Sequence, residues 1–135
     1  MLERTKGKDR MRVLIADDDK YVRRLVRSLL ENEGMECHEA EDGFEALSAA
    51  RELHPDLIIL DVMMPGFDGY KICRMLKFDE NLSDISIIMV TSRDQPTDKE
   101  TGYYTGADLY ITKPFDNEEL LDIVKHLVGA RITET

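Results

Sequence analysis

The sequence predicts a single α/β domain, in which a five-stranded parallel sheet carries helices on both faces. Short apolar runs alternate along the chain with segments that have the spacing of amphipathic helices, which is the pattern of such sheets. The apolar runs are rich in leucine and β-branched residues, as strands buried on both faces require. The length of 135 residues and the 42% of hydrophobic residues suit one packed core.

Five runs are predicted to be strands. The second, residues 35–40, is more polar than the others and alternates, which indicates an edge strand. Right-handed crossovers and a reversal of the chain after the second strand then give a doubly wound sheet with strand order 2-1-3-4-5. The other four predicted strands are residues 13–16, 57–60, 85–90 and 109–111.

Five helices are predicted, one after each strand. Capping-box patterns indicate that the fourth helix begins near Thr97, with Glu100, and the fifth near Asp116, with Glu119. Apolar stripes at helical spacing mark the other three and also the fifth. The stripes comprise residues 22, 25, 26, 29 and 30; residues 46, 47, 50 and 53; residues 72, 73 and 76; and residues 120, 124, 127 and 128.

Residues 11–129 are assigned to this domain, because the strand and helix patterns begin and end there. Residues 1–10 show no strand pattern and are predicted to form a mobile, slightly basic N-terminal extension. Residues 130–135 are predicted to be a C-terminal tail.

Composition also limits the cellular location and the classes of binding partner that we expect. No apolar run approaches the ~18 residues that a bilayer span requires, and the N-terminus lacks the apolar segment of a secretion signal. Cys37 and Cys73 form no CxxC pair, so we expect free thiols in a reducing cytoplasm. The 28 acidic and 18 basic residues give a net charge of −10, which repels phosphate backbones. We therefore expect a cytoplasmic protein that binds neither nucleic acid nor membranes directly.

Polar residues follow the predicted strands, at the edge of the sheet where ligands bind in this architecture. Asp17 and Asp18 follow the first strand and Asp61 follows the third. Three neighbouring carboxylates repel one another unless a cation compensates, and oxygen-only ligands favour Mg²⁺. An ionised aspartate is also a nucleophile toward phosphorus. Thr91 and Lys113, after the fourth and fifth strands, could then bind the phosphoryl oxygens.

Four segments at these strand ends carry a family resemblance. VLIADDD, LIILDVMMPGFDGY, IIMVTS and GADLYITKPF occur in this order, and together they resemble the receiver domain of two-component response regulators. The resemblance covers about residues 11–128. It implies a flavodoxin-like (βα)5 fold and a phosphoacceptor switch rather than an enzyme with turnover.

The resemblance assigns the acceptor and the metal ligands residue by residue. Asp61 matches the phosphoacceptor. Asp17 and Asp18 match the acidic pair that holds Mg²⁺ together with Asp61, and Asp18 is the more direct ligand. Met63 matches the position whose backbone carbonyl completes the metal shell.

The resemblance also assigns the residues that bind and report the phosphoryl group. Thr91 matches the switch hydroxyl, followed by Ser92, and Lys113 matches the lysine that binds the phosphoryl group. Tyr110 matches the aromatic switch, and the bond before Pro114 matches a cis peptide. In the apo state, we expect Lys113 to pair with Asp61.

The partners implied are those of the family. A sensor histidine kinase or a phosphotransfer protein would donate the phosphoryl group. A downstream effector domain or protein, or a second copy of the chain, would bind the surface formed by the fourth helix, the fifth strand and the fifth helix.

Structural roles are the alternatives for the same residues. Asp19 is better explained as the cap of the first helix, and Asp17 and Asp18 could share that role. Thr91 could be a strand-end hydroxyl bonded to backbone, and Tyr110 a half-buried strand aromatic. Lys113 could be a solvated lysine before a proline turn.

Three other functions fit the sequence less well. A haloacid-dehalogenase-like phosphatase needs a second aspartate two residues after the nucleophile, where this chain has Met63. A flavodoxin-like cofactor binder needs an uncharged phosphate loop after the first strand, where Asp17 and its neighbours would repel phosphate. A degenerate receiver that only docks partners would not need the intact aspartates, Thr91 and Lys113.

Overall fold

The computed structural model describes residues 10–92 and 105–133. Its five-stranded sheet is parallel throughout, with strand order β2-β1-β3-β4-β5. This confirms the predicted fold class and strand order, and it places the most polar strand at an edge. The strands are β1 (Arg12–Ala16), β2 (Glu36–Ala40), β3 (Leu57–Asp61), β4 (Ser86–Ser92) and β5 (Leu109–Lys113).

Four helices are present in the described residues: α1 (Lys20–Glu31), α2 (Gly43–Leu53), α3 (Gly69–Lys77) and the C-terminal helix (Asn117–Thr133). The C-terminal helix continues past residue 129, so its backbone is helical over part of the predicted tail. The helix predicted to begin near Thr97 lies outside the described residues, as do residues 1–9 of the predicted extension.

Two apolar cores lie on opposite faces of the sheet. The central strands contribute alternate residues to each core, because successive side chains of a strand point to opposite faces. Leu14 and Ile58 belong to the core under α2 and α3, whereas Val13 and Ile59 belong to the core under α1 and the C-terminal helix. This two-sided burial explains why β3 is apolar from its first residue to the last one before Asp61.

Each described helix begins with an aspartate that caps its free N–H groups. The Asp19 carboxylate accepts hydrogen bonds from the backbone N–H groups of Tyr21 and Val22, as its interpretation as a cap predicts. Asp116 accepts from the N–H of Glu119 at 2.7 Å, which forms one half of the predicted capping box. Asp42 and Asp68 cap α2 and α3 in the same way.

The strands differ from their predicted ends on the carboxyl side. β3 includes Asp61, β4 continues to Ser92, and β5 continues to Lys113, so these polar residues end the strands rather than follow them. Asp61 pairs with Val90, and Ser92 pairs with Lys113. The backbone ladder continues past the apolar runs because strand pairing uses main-chain groups and does not require apolar side chains.

A two-residue antiparallel ribbon, which the sequence did not predict, follows β3. Met63–Met64 pairs with Phe67–Asp68, and α3 begins directly after it. Gly69 lies where this ribbon meets α3, and its N–H donates to the carbonyl of Val62 at 3.0 Å. A Cβ atom at Gly69 would be 2.6 Å from Val62 Cα. The absence of a side chain therefore lets α3 approach the end of β3.

Gly69→Ala should destabilise the domain by about 1–3 kcal/mol, because the added carbon meets rigid backbone. Gly129→Ala is the matched control, since a Cβ at Gly129 meets nothing within 4 Å. It should raise stability by up to about 1 kcal/mol through helix propensity. Urea unfolding of both variants measures the difference, and equal stability of Gly69→Ala and the wild type would contradict the packing argument.

Candidate functional site

Three carboxylates meet at the carboxyl edge of the sheet. Asp17 directly follows β1, Asp18 is next to it, and Asp61 ends β3. One oxygen from each lies within 4.8 Å of the others. Asp17 and Asp61 are only 3% and 6% exposed, whereas Asp18 is exposed to solvent. The structure therefore brings together the three predicted metal-binding aspartates, two of them buried.

This cluster is the one group of at least three His, Cys, Asp or Glu side chains with metal-binding spacing among residues 10–92 and 105–133. It offers carboxylate oxygens only, which matches the preference of Mg²⁺ and excludes the softer ligands typical of zinc sites. The carboxylates of Asp17 and Asp61 are already held by hydrogen bonds. They would therefore need little rearrangement to bind a cation. The residues present therefore fit a magnesium ion.

Lys113 joins two of the carboxylates. Its Nζ lies 2.9 Å from Asp17 Oδ2 and 3.5 Å from Asp61 Oδ2, although β4 lies between β5 and β3 in the sheet. We expected Lys113 to pair with Asp61, and the shorter contact is with Asp17. Lys113 is therefore shared by the predicted acceptor and a predicted metal ligand.

The charges at this edge do not balance. Burial and repulsion by Asp17 raise the pKa of Asp61 to about 6, although Lys113 and the N–H of Met63 oppose the shift. Burial opposes the ammonium form of Lys113, but the hydrogen bond and charge of Asp17, and the charge of Asp61, raise its pKa. One ammonium thus faces three carboxylates, and the remaining negative charge favours a bound cation.

Met63 lies beside the predicted acceptor. Its backbone N–H donates to Asp61 Oδ1 at 3.2 Å, and its side chain is exposed. The ribbon after β3 holds this residue in place. The ligand role of its carbonyl stays a prediction.

Thr91 and Ser92 end β4 at the same edge. Thr91 is buried, pairs with Thr112 of β5, and directly follows Val90, the strand partner of Asp61. Ser92 pairs with Lys113. The sheet register thus places both hydroxyl residues between the acceptor strand and the lysine strand.

Tyr110 is half-buried on β5 and packs against the core under α2 and α3. Its hydroxyl lies 3.0 Å from Thr105 Oγ1, and Thr105 is fully buried. Thr105 Oγ1 also accepts from the N–H of Ala107 at 3.2 Å. The sequence offered one signal for Thr105, a hydroxyl residue just before Gly106, and it was missed.

Two further features lie next to the cluster. The Lys113–Pro114 peptide is cis, as the family resemblance implies. Arg23 on α1 is buried and donates to the backbone carbonyl of Asp17 at 2.7 Å. Sequence reasoning missed Arg23, whose signal was a basic residue in register with the apolar Val26 and Leu30.

The raised pKa of Asp61 predicts a pH effect on stability in the absence of divalent ions. The folded state holds a proton that the unfolded state releases between about pH 4 and pH 6, so stability falls as pH rises through this window. Asp61→Asn lacks this loss of stability. Between pH 4 and pH 7, the free energy of unfolding of the variant should therefore rise relative to that of the wild type, by at most about 3 kcal/mol.

Urea unfolding of both proteins in EDTA across this range measures the difference. Adding Mg²⁺ at pH 7 should stabilise the wild type more than Asp61→Asn, because the cation compensates the buried charge. Parallel pH curves for the two proteins would contradict the electrostatic description of the cluster.

The chain matches a family model described as the response regulator receiver domain over residues 13–125. It is 40% identical over 117 residues to protein PilG of Pseudomonas aeruginosa, which covers 87% of each chain. It is 44% identical to the DNA-binding dual master transcriptional regulator RpaA of Synechocystis, over 87% of this chain and 48% of RpaA. It thus spans most of PilG but about half of RpaA.

A solved structure shows the same fold. The signal receiver domain of a signal transduction histidine kinase from Syntrophus aciditrophicus superimposes with a TM-score of 0.82 at 35% identity, over 89% of this chain and 91% of the other. Among the described residues, no helix has the length and apolar character needed to cross a membrane.

Receiver domains act as phosphoacceptor switches rather than as classical enzymes. The chain belongs to the response regulator receiver domain family of two-component signalling proteins.

Proposed function

We propose that this chain is a phosphorelay switch that accepts a phosphoryl group on Asp61. The observation that carries the proposal is the cluster of Asp17, Asp18 and Asp61 with Lys113 at the carboxyl edge of a receiver-domain sheet. The donor would be the phosphohistidine of a sensor histidine kinase or of a phosphotransfer protein.

In the transfer step, an oxygen of ionised Asp61 attacks phosphorus, and the bond between phosphorus and the histidine nitrogen breaks. The electron pair of that bond leaves with the imidazole, and Asp61 becomes an acyl phosphate. Lys113, which is 3.5 Å from Asp61, would neutralise the phosphoryl oxygens as a point charge. Because Lys113 also bonds Asp17, it can move between the two without leaving the cluster.

Mg²⁺ would be held by the carboxylates of Asp17, Asp18 and Asp61 and by the backbone carbonyl of Met63. When bound, it would supply positive charge that offsets the repulsion between the carboxylates and the incoming phosphoryl oxygens. The solvent exposure of Asp18 leaves the cluster open on one side. A cation and a phosphoryl donor could both enter there.

Phosphorylation of Asp61 would change the conformation of the domain through Thr91 and Tyr110. A phosphoryl group adds acceptor oxygens at a fixed point, which the Thr91 hydroxyl could bind. The end of β4 would then shift, and Tyr110 on the neighbouring β5 would change rotamer. In the described structure the Tyr110 hydroxyl bonds Thr105, so the switch would have to break that bond. Such interactions supply roughly 1.5–3 kcal/mol each, enough to shift a two-state population.

The output would be a downstream effector domain or protein, or a second copy of the chain. It would bind the surface of β5, the C-terminal helix and the predicted fourth helix. RpaA is a DNA-binding regulator by name, and this chain spans about half of it. The net charge of −10 still argues against direct DNA contact by this domain. The cytoplasmic location expected from the free thiols is part of this proposal.

Asp61 should be the one residue that takes up a phosphoryl group from acetyl phosphate, and only with Mg²⁺. Intact-mass measurement should show one added phosphoryl group on the wild type and none on Asp61→Asn or in EDTA. Asp19→Asn is the matched control, because Asp19 caps α1 in the same turn and should leave uptake unchanged. Uptake by Asp61→Asn, or uptake in EDTA, would overturn the proposal.

Thr91→Ala should still accept the phosphoryl group but should lose most of the conformational response, because the switch hydroxyl is missing. NMR shift mapping with beryllofluoride as phosphoryl mimic measures the response in each variant. Thr112→Ala is the control, since Thr112 is the exposed strand partner of Thr91. If shifts in the wild type stay within the Asp61 pocket and never reach β5 or the C-terminal helix, the switch model fails.

A further inference from the structure

A buried guanidinium lies beside the acidic cluster without belonging to it. Arg23 is 8% exposed and faces the sheet from the first turn of α1, in register with Val26 and Leu30. Arginine is seldom buried unless its charge and its N–H groups are satisfied. Its contacts therefore show what it stabilises.

Arg23 bonds two different parts of the domain. Its Nη1 donates to the backbone carbonyl of Asp17 at 2.7 Å, and its Nε donates to Glu39 Oε1 at 2.9 Å. The other oxygen of Glu39 accepts from Arg27 Nη1 at 3.0 Å, and Arg27 also bonds Glu31. A chain of ion pairs between α1 and the edge strand β2 thus ends on the carbonyl of a predicted metal ligand.

Asp17 is bonded at each of its polar groups. Its N–H donates to the carbonyl of Ala40 at 3.1 Å, and its carbonyl accepts from Arg23. Its two carboxylate oxygens accept from the N–H of Asp19 at 2.8 Å and from Lys113 at 2.9 Å. Ala40 belongs to β2, as does Glu39, so the turn after β1 is attached to the edge strand at two points, one of them through Arg23.

The charge of Arg23 is already compensated. Burial opposes ionisation of Glu39, but hydrogen bonds from Arg27 and Arg23 outweigh it and lower the pKa of Glu39. An ionised Glu39 therefore balances the guanidinium. Arg23 can fix the backbone of the turn without cancelling the negative charge that would attract a cation to Asp17 and Asp18. A lysine could keep the charge, but it lacks the planar fork that binds two acceptors at once.

We propose that Arg23 is a positioning residue for the acidic cluster: by holding the Asp17 carbonyl while anchored on Glu39, it sets the affinity of the cluster for Mg²⁺. The inference rests on the proposed function, since it concerns the same metal site. Residues that orient metal ligands from outside typically change metal affinity 10–100-fold when they are replaced.

The test is a Mg²⁺ titration of the wild type, Arg23→Met, Arg23→Lys and Arg27→Met, followed by NMR shifts of the amides of residues 17–19. Arg23→Met keeps much of the apolar stem and should weaken binding about 10-fold or more. Arg23→Lys should weaken it at least about threefold, because one ammonium cannot hold both acceptors in the fork geometry. Arg27→Met removes the other partner of Glu39 but does not touch the turn, so its affinity should stay within about twofold of the wild type.

Thermal unfolding of each variant separates a loss of Mg²⁺ affinity from a loss of stability. If the role of Arg23 were purely structural, Arg23→Met and Arg27→Met would change the affinity and the stability to the same extent. The inference is overturned if Arg23→Met binds Mg²⁺ as the wild type does, or if Arg27→Met weakens binding equally. If Arg23→Met does not fold, Arg23→Lys decides, and unchanged affinity in that variant overturns it.

The failure of the proposed function would look different. In that case the wild type itself would bind no Mg²⁺ and take up no phosphoryl group. A metal-free measurement then tests the positioning role alone. The Asp19 N–H, which is bonded to Asp17 Oδ1, should exchange with solvent faster in Arg23→Met than in Arg27→Met, and equal exchange rates would overturn the role.

Discussion

The Lys113 ammonium, placed between the carboxylates of Asp17 and Asp61, is the interaction on which the site depends. Two buried carboxylates at one edge of a sheet repel each other, and Asp18 adds a third charge. Lys113 compensates part of this repulsion from β5, two strands away from β3. Burial, together with this incomplete compensation, raises the pKa of Asp61 to about 6. The same imbalance makes the cluster suited to a cation, whose charge would in turn offset the repulsion of phosphoryl oxygens, so a cost to folding becomes the basis of the proposed function.

The surrounding fold keeps this repulsive cluster together. The turn after β1 is bonded to the edge strand through Ala40 and through Arg23, and the ribbon after β3 holds Met63 against the acceptor. The absence of a Cβ at Gly69 lets α3 pack closely behind that ribbon. The side of the domain that faces the proposed output is built differently. There the Tyr110 hydroxyl has Thr105 as a partner, a bond that can be exchanged at lower cost than an ion pair.

Much of the fold followed from local patterns because the local and the tertiary preferences agree. Four apolar runs at the lengths of strands, and helices that begin at aspartates, are visible without any contact information. The predicted strand boundaries were less accurate where backbone hydrogen bonds determine how far a strand extends. β4 and β5 extend into polar residues, and a two-residue ribbon carries too little pattern to be seen. On α1 the predicted stripe included Leu25, which is exposed, while Arg23 is buried, because the ion pair with Glu39 satisfies its charge.

The sequence by itself determined the alternation of strands and helices, the polar edge strand, and the residue types at the strand ends, since each is a matter of local composition and spacing. It also identified the family, because four motifs in the right order are specific. Only the tertiary structure decided which charges meet. The pairing of Lys113 with Asp17 at the shorter distance, and the link from Glu39 through Arg23 to Asp17, join residues far apart in the chain. Such contacts depend on side-chain lengths and strand positions in three dimensions, which no periodicity along the chain records.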